Sequence, residues 1–562
     1  MSKKKTKSQP MSASDVTLYI FRIIVSFYCC IFFIAMPLFY HNKYYDIGDF
    51  KYKMFMYITV IFLTVSTIML VIYLICQIRA KKINLTSFKE TIRSLSVIDW
   101  FVIAFAIVSI LSFLFSPSRT SEYPTFFLFK GGEDTSVVNL PWEGYTGWNM
   151  GLRSQLFFVA LYFLVSRLFM KSWARDFLYM MLGSAFIVFF LGVLHRFNID
   201  PLALYEDLDD YYRYKFLSTL GQSSWYSSFM VVLMPIGMSF FMFNKKEKSV
   251  GNILLGCFVA ISGATFVSQN SDSAYLAFVF MVLILFAVSF TDNRLFLKFW
   301  EMMIIMIAAM KIVGIFQIMF PEKATQLDKM SFFMSKSAAT WILLAAVVAF
   351  YVFIRKKAKD DKFDITRYKK VRNVLVALVI ACLPLGILTC YLNTKGMINI
   401  PAIQNAEYMT FNDGWGNSRG YTWKNTVEVM GEEMWKKMAL LGPGPDCYAT
   451  VMYATEPRAT DMFNFWNQEL VVCAHNEWLN MMFNEGILGI ISYLGIFVSA
   501  FVIFIKKCND PIMTGCAASI AAYFFHNMFC YQQILCTPMI FLVIALGVWA
   551  IKASVSGTET EH

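Results

Sequence analysis

Arg419 is the residue whose type and position best suit the binding of an anion. The pattern SRGYTWKNTVEVM predicts a helix that begins near Ser418, so Arg419 would lie in its first turn. Free backbone N–H groups and the helix dipole favour an anion there, and a guanidinium would add a bidentate clamp for phosphate. The alternatives are an ordinary surface arginine and an ion pair with Asp413.

His475 is the candidate proton acceptor, because an imidazole titrates near neutral pH. A second helix is predicted to begin near Glu469 and to continue into an apolar segment. Helical spacing would then place the histidine on one face of that helix, together with Trp478, Leu479, Met482, Gly486 and Gly489. A lone histidine is often purely structural, so the residues alone leave both interpretations open.

The sequence gives little support to metal or nucleotide chemistry. It contains no His-x-x-x-His or Cys-x-x-Cys pair and no Walker pattern, so we expect neither a metal centre nor a cofactor. The acidic stretch 206–210 could bind a divalent cation, although such loops are usually only solvated. Cys447 and Cys473 lie outside the apolar segments, and a disulfide between them is left open.

These residues belong to a chain with the composition of a membrane protein. Of its 562 residues 58% are hydrophobic and 15% charged, and the mean hydropathy is +0.55. Soluble domains carry about 25% charged residues. The composition therefore excludes a soluble enzyme, and it excludes a nucleic-acid binder in spite of the net charge of +11.

The apolar residues occur in blocks of about 20, the length that crosses a bilayer as a helix. They predict an all-α integral membrane protein with about 14 transmembrane helices. Lysine and arginine concentrate in alternate loops, above all in 355–372, which indicates that these loops and both termini are cytoplasmic. Three outer segments, 117–151, 195–221 and 393–485, are too long to be simple connections.

The predicted organisation has three parts. Residues 1–392 form the N-terminal transmembrane helices, with about 11 spans. Residues 393–485 form a large extracytoplasmic loop that contains helices and both candidate residues. Residues 486–562 form about three C-terminal spans and a short cytoplasmic tail.

Three motifs in one part of the chain resemble those of a known family. The segment HNEWLNMMFNEGILG (475–489) resembles the His-Asn/Ser/Gln motif of O-antigen ligases, in which glycines follow at fixed spacing. Upstream, SRGYTW (418–423) looks like the Arg-x-x-x-Trp element of that family, and LGPGPDCY (441–448) looks like its Gly-x-Gly-Pro element. Residues from about 415 to 495 thus resemble the O-antigen ligase and Wzy-type polymerase superfamily of bacterial membrane glycosyltransferases.

The resemblance implies a function and roles for the motif residues. Members of the family transfer a glycan from an undecaprenyl-diphosphate carrier to an acceptor sugar hydroxyl, at the outer face of the bacterial inner membrane and without a metal. Arg419 would then bind the diphosphate and His475 would be the general base. Asn476, Gly442 and Gly444 are expected to contact substrate.

The sequence departs from the family in its about 14 predicted spans, where members usually have about twelve, and in one motif. Members often carry a Ser-Arg-Gly-like element at the start of a middle helix, whereas residues 270–275 read Asn-Ser-Asp-Ser-Ala-Tyr and lack the arginine. A second ligand for the diphosphate must come from elsewhere, and Arg153 and Arg196 are the candidates.

A flippase for lipid-linked oligosaccharides, or a polysaccharide transporter, is the alternative function. Such proteins carry charged residues inside their helices along the path of the substrate. Only Arg22, Asp99 and Lys311 lie within or near the apolar segments here, and this favours an enzyme. The motifs do not separate a ligase from a polymerase.

Overall fold

The structure of the chain is a computed structural model. It describes residues 11–82, 85–120, 127–130, 133–136, 141–145, 147–246, 248–360, 362–398, 400–406 and 408–555. The predicted tail beyond residue 555 lies outside these residues. Helices dominate the described part, so the prediction of an all-α membrane protein is confirmed, and the strands are limited to two short antiparallel pairs.

The first eleven helices lie between residues 13 and 319. They are α1 (Ala13–Leu38), α2 (Ile47–Arg79), α3 (Leu85–Arg93), α4 (Val97–Leu114), α5 (Leu152–Leu168), α6 (Ala174–His195), α7 (Asp210–Lys215), α8 (Ser223–Phe243), α9 (Val250–Ser268), α10 (Ser273–Ser289) and α11 (Asn293–Met319). The strand pairs are β1 (Phe127–Lys130) with β2 (Glu133–Ser136), and β3 (Phe216–Leu217) with β4 (Gly221–Gln222).

The remaining helices follow in the second part of the chain. They are α12 (Lys329–Lys336), α13 (Ala338–Lys357), α14 (Lys369–Thr394), α15 (Pro401–Gln404), α16 (Trp415–Met430), α17 (Glu433–Lys437), α18 (Tyr448–Met452), α19 (Glu456–Phe465), α20 (Glu477–Ile505), α21 (Pro511–His526) and α22 (Thr537–Val555). Short 3₁₀ turns lie at Pro117–Thr120, Lys171–Trp173 and Ile365–Tyr368.

Eleven helices of the described residues are long and apolar enough to cross a membrane. The three other predicted spans coincide with α5, α10 and α21, which have 17, 17 and 16 residues. The chain is thus a multi-pass membrane protein, and the total of about 14 spans and their orientation remain predictions.

The helix bundle has a central helix and a periphery. Helix α8 is the most enclosed of the eleven, because 89% of its most apolar stretch is buried. It packs on α9 and α21. Helix α10 packs on α21 and also contacts α8, α20 packs on α4, and α22 packs on α5. In helix α14 no residue of the most apolar stretch is buried, so this helix lies at the edge of the bundle.

The segment between α14 and α20 carries five short helices, α15 to α19, as predicted for the large loop. Two predicted helices in it are wrong in their bounds. The helix expected from Ser418 to the Gly-Pro turn ends at Met430, because the chain turns at Gly431 and begins again as α17. The helix expected from Glu469 begins at Glu477, since Asn476 caps it. Residues 477–485, expected in the loop, therefore belong to α20.

Candidate active site

Arg419 follows a strained turn at the start of α16. Gly416, Asn417 and Ser418 all have left-handed backbone angles, with φ of 59°, 60° and 65°. This conformation costs roughly 1–2 kcal/mol for each residue with a side chain, so surrounding contacts must hold it. Regular helical geometry begins only after this turn, and Ser418 is not the N-cap that the sequence predicts.

The guanidinium of Arg419 keeps unused donors. Its Nη1 donates to the carbonyl of Gly416 at 2.6 Å, whereas its Nε is buried and has no hydrogen-bond partner among the described residues. Burial lowers the pKa of this guanidinium. The proposed ion pair with Asp413 is absent from the described contacts, because that carboxylate binds Lys424 at 2.6 Å. The edge formed by Nε and Nη2 is therefore free to bind an anion.

His475 lies in the loop just before α20, not on the helical face that the sequence predicts. Its φ is +50°, which is unusual for a residue with a side chain. The ring stacks on Trp466 with centroids 6.3 Å apart and meets the edge of Tyr531 at 5.2 Å. Its Nδ1 lies 4.0 Å from Sγ of Cys473. The partly exposed ring can therefore offer Nε2 to a substrate.

Electrostatics keep His475 neutral. The burial of most of its ring and the positive charge of Arg419 lower its pKa to about 3. Trp423, one helical turn after Arg419, is hydrogen-bonded to Ala474, the residue before His475, so the two predicted residues lie in the same region of the structure. A neutral imidazole is the form that accepts a proton.

Two motif residues hold the site together. Trp423 lies one helical turn after Arg419, and its Nε1 donates to the carbonyl of Ala474 at 2.9 Å. The spacing of the Arg-x-x-x-Trp element thus fixes α16 against the residue that precedes His475. Asn476 accepts hydrogen bonds from the backbone N–H groups of Trp478 and Leu479, each at 3.1 Å, so its side chain oxygen caps α20.

Gly442 and Gly444 lie in a turn that packs on a break in α20. Both have positive φ, of 67° and 129°. The N–H of Gly442 donates to Met438 and that of Gly444 donates to Asn484, so neither is free for a phosphate. We therefore assign them a structural role and not the substrate contacts expected from the resemblance.

The break in α20 occurs at Gly486, which has φ 68° and ψ −165°. Only glycine adopts this backbone region readily. The N–H groups of Ile487 and Leu488, which the break releases, donate to the carbonyls of Ala439 and Leu440 at 2.8 and 3.0 Å. The Gly-Pro turn and Gly486 of the histidine motif therefore pack against each other, and backbone hydrogen bonds connect the two segments.

Gly486→Ala is expected to lower the thermal stability of the purified protein strongly. A Cβ at this position would lie 2.6 Å from the carbonyl oxygen of Ala439, in addition to backbone strain of roughly 1–3 kcal/mol. The control is Gly183→Ala, because Gly183 is a helical glycine whose added Cβ would meet no atom within 4 Å. Equal melting temperatures of the two variants in detergent would contradict this account.

Arg153 and Arg196, the candidates for a second anion ligand, each bind other groups, and each also keeps one buried nitrogen, Nε of Arg153 and Nη2 of Arg196, with no partner among the described residues. Arg153 binds the carboxylate of Glu143 at 2.7 Å and the hydroxyl of Tyr52. Arg196 is fully buried and donates to the backbone carbonyls of Ser268, Arg213 and Tyr214. Among the contacts of the described residues, neither arginine reaches Arg419 or His475.

The other predicted groups form no site. All twelve cysteines are free, so the Cys447–Cys473 disulfide is not formed. In the acidic stretch, Glu206 and Asp207 both pair with Lys43, at 2.7 and 3.7 Å. Within the ranges that the structure describes, no group of three or more His, Cys, Asp or Glu residues could hold a metal ion.

Sequence reasoning missed a second histidine near the site, His526, which is fully buried. His526 ends α21, is followed by Asn527, and lies within electrostatic range of Arg419. Glu477, the first residue of α20, binds Asn527. The sequence offered only a weak signal, because the dipeptide His-Asn of residues 475–476 occurs again at 526–527 and also at 41–42, in both cases after an apolar segment.

Fold and site together define a multi-pass membrane protein with an arginine and a histidine in one candidate site at the start of α16 and α20. Residues 327–494 match the model of a family described as O-antigen ligase, Wzy_C. The match over these residues confirms the resemblance to the O-antigen ligase superfamily that the three motifs indicated. This segment includes Arg419, the Gly-Pro turn and His475. A comparison with curated proteins found no match.

Proposed function

We propose that the chain is a metal-independent glycosyltransferase of cell-surface polysaccharide synthesis. It transfers or polymerises a glycan from an undecaprenyl-diphosphate carrier onto a sugar hydroxyl, at the extracytoplasmic face of the bacterial inner membrane. The observation that carries this proposal is the free Nε–Nη2 edge of Arg419 beside a neutral His475, within the segment that matches O-antigen ligases.

In this reaction His475 acts on the acceptor hydroxyl and Arg419 acts on the diphosphate leaving group. His475 takes the proton of the acceptor hydroxyl at Nε2 while the acceptor oxygen forms a bond to the anomeric carbon. The bond between that carbon and the diphosphate oxygen breaks, and its electron pair passes to the diphosphate. Arg419 stabilises the negative charge that develops there, through two parallel N–H donors.

The bound donor also prepares the base. Part of the low basicity of His475 comes from the charge of Arg419. A bound diphosphate opposes that charge, so the pKa of His475 rises in the complex. His475 is then a better base when the donor is in place, which favours transfer to the acceptor over proton uptake in the empty site.

The pH profile follows from the lowered pKa of His475. The free enzyme needs the neutral ring, and with a pKa of about 3 the ring stays neutral down to pH 5. We therefore expect kcat/KM to remain constant from pH 8 to pH 5, whereas an unperturbed histidine would lose activity below about pH 6.5. Carbethoxylation of the His475 peptide, followed by mass spectrometry against pH, gives a second measurement. A midpoint near 6.5 in both experiments would contradict the assignment.

Glycan analysis of a deletion strain tests the function itself. Single repeats stranded on the carrier identify a polymerase, and full-length polymer stranded on the carrier identifies a ligase. The purified chain in vesicles supplies the complementary test, with a lipid-linked glycan donor and a sugar acceptor. Movement of the donor across the bilayer without any transfer would identify a flippase and refute the proposal.

A further inference from the structure

The ring of His475 lies in a row of aromatic side chains that come from separate parts of the chain. Trp466, the residue after α19, stacks on it with 12° between the ring planes and 6.3 Å between the centroids. Tyr531, which follows α21, meets it edge to face at 5.2 Å, and Trp148 meets Tyr531 in the same way at 4.5 Å. The candidate base therefore has one tryptophan in contact with its ring and a second tryptophan one ring farther along.

Trp466 leaves part of its ring open. Rings in full face-to-face contact lie about 3.5–4 Å apart, so at 6.3 Å Trp466 and His475 cover each other only in part. The side chain of Trp466 is partly exposed, and its Nε1 is buried without a hydrogen-bond partner among the described residues. An indole N–H usually has a partner when it is buried. A hydroxyl of a ligand held against the ring would supply the missing acceptor.

The chain around Trp466 holds this ring in place. Asn467 and Gln468 both have left-handed backbone angles, with φ of 54° and 66°, which residues with side chains rarely adopt. On the other side, Phe465 stacks on Tyr421 of α16 with centroids 3.8 Å apart, so the end of α19 is packed on the helix of Arg419. Strained backbone of this kind persists only where the surrounding structure enforces it, and it is often found at ligand sites.

Trp148 is placed by the residue that follows the Gly-Pro turn. The carboxylate of Asp446 accepts hydrogen bonds from the backbone N–H groups of Tyr145 at 2.8 Å and Met150 at 3.0 Å, so it holds both ends of the turn that carries Trp148. The side chain of Trp148 is partly exposed, like those of Trp466 and His475. The element that contains Asp446 therefore supports the aromatic row as well as α20.

We propose that Trp466 and Trp148 bind the acceptor glycan, with Trp466 against the sugar whose hydroxyl gives its proton to His475. A sugar ring presents C–H groups on its faces, which pack on an aromatic ring, and hydroxyls at its rim, which form hydrogen bonds. A hydroxyl about 3 Å from Nε2 of His475 brings its sugar against Trp466, because the two protein rings are only 6.3 Å apart. Trp148, one ring farther along, contacts the next sugar of the acceptor.

The contacts favour the acceptor over the donor as the occupant of this row. Its rings touch His475, which acts on the acceptor hydroxyl, whereas no aromatic ring among the described residues forms a cation–π contact with Arg419. The inference rests on the proposed function, because it assumes that His475 is the base of a glycan transfer.

The test is transfer by the full chain in nanodiscs, with donor and acceptor varied separately. The acceptor probe is the oligosaccharide released by mild acid from the glycolipids of the deletion strain, which contains the accepting sugar of a ligase or a polymerase. Trp466→Leu keeps apolar bulk but removes the flat ring, so KM for this acceptor is expected to rise about tenfold, while KM for the lipid-linked donor stays within about threefold. Trp466→Phe keeps an aromatic face and should raise the acceptor KM about threefold or less.

Two further tryptophan variants complete the series. Trp148→Leu should also raise the acceptor KM, because the second sugar loses its contact. Trp142→Leu is the matched control, since Trp142 is an exposed tryptophan in the same outer segment and its ring packs on Phe113. Its acceptor KM should equal that of the wild type.

Three results would overturn the inference: a wild-type acceptor KM in Trp466→Leu, an equal rise of the donor KM, or no rescue by Trp466→Phe. Saturation-transfer NMR on the wild type decides the question if Trp466→Leu does not fold. Irradiation of the aromatic protons of the protein should then saturate the C–H protons of the bound oligosaccharide, and absence of this transfer would overturn the inference. Failure of the wild-type chain to transfer any glycan would instead refute the proposed function.

Discussion

His475→Ala is expected to abolish glycan transfer while the protein remains inserted and folded. General-base catalysis contributes about 10²–10⁴ in rate, and alanine offers no proton acceptor. The fold should survive because the side chain is partly exposed, and its ring and hydrogen-bond contacts among the described residues are with Trp466, Tyr531 and, at long distance, Cys473. The measurement is transfer in vitro from a purified lipid-linked donor, together with the amount and melting temperature of the variant.

A matched control separates the role of His475 from that of an exposed histidine elsewhere in the chain. His41 is exposed and bound to Asp46, so His41→Ala should transfer at the wild-type rate. Wild-type amounts of glycan product from a His475→Ala strain with normal expression would remove His475 from catalysis. Restored activity in His475→Gln would also contradict a role in proton transfer, since an amide is no base near neutral pH.

The spans were predictable because the bilayer imposes their length and composition. Backbone N–H and C=O groups in the hydrocarbon core must bond to each other, so a segment that crosses the membrane forms a long apolar helix. The eleven long helices and the shorter α5, α10 and α21 coincide with the predicted blocks for this reason. The two candidate residues, Arg419 and His475, could be selected from the sequence because they stand in short motifs with fixed spacing, and their roles remain predictions.

The details of the site depend on contacts that sequence periodicity does not encode. Arg419 directly follows a left-handed turn at residues 416–418. The sequence Gly-Asn-Ser before a helical pattern predicts only an ordinary helix start, so this turn could not be foreseen. The conformation of Gly486 makes sense only against Ala439 and Leu440, more than forty residues upstream. His526 was missed because its partners Ser227 and Ser273 lie about 250 to 300 residues away in the chain.

The start of α20 shows how a local signal can be misread. The sequence before Asn476 is apolar enough to extend the helical pattern back to Glu469. Asn476 is nevertheless a strong N-cap residue, and the preceding backbone is bound to Trp423 of α16. The cap and this tertiary contact overrode the periodicity, and they place His475 in a loop where its ring can meet a substrate.

Arg419→Lys is expected to lose most of the transfer activity although it keeps the positive charge, and Arg419→Ala nearly all of it. Nη1 already binds Gly416, so the clamp on the diphosphate consists of the Nε–Nη2 edge, which a lysine ammonium cannot reproduce. A lost transition-state contact of this type costs about 2.7–4 kcal/mol, or about 10²–10³ in rate. The loss should appear mainly in kcat, because the contact tightens as charge builds on the leaving group.

The neighbouring ion pair supplies the control for this prediction. Asp413 and Lys424 form an exposed pair on the same helix start, so Asp413→Ala should cost little activity. If Asp413→Ala were as harmful as Arg419→Ala, the common cause would be the local structure of α16. An Arg419→Lys enzyme with near-normal turnover would show that charge alone is sufficient, and it would rule out the bidentate clamp on which the proposed mechanism depends.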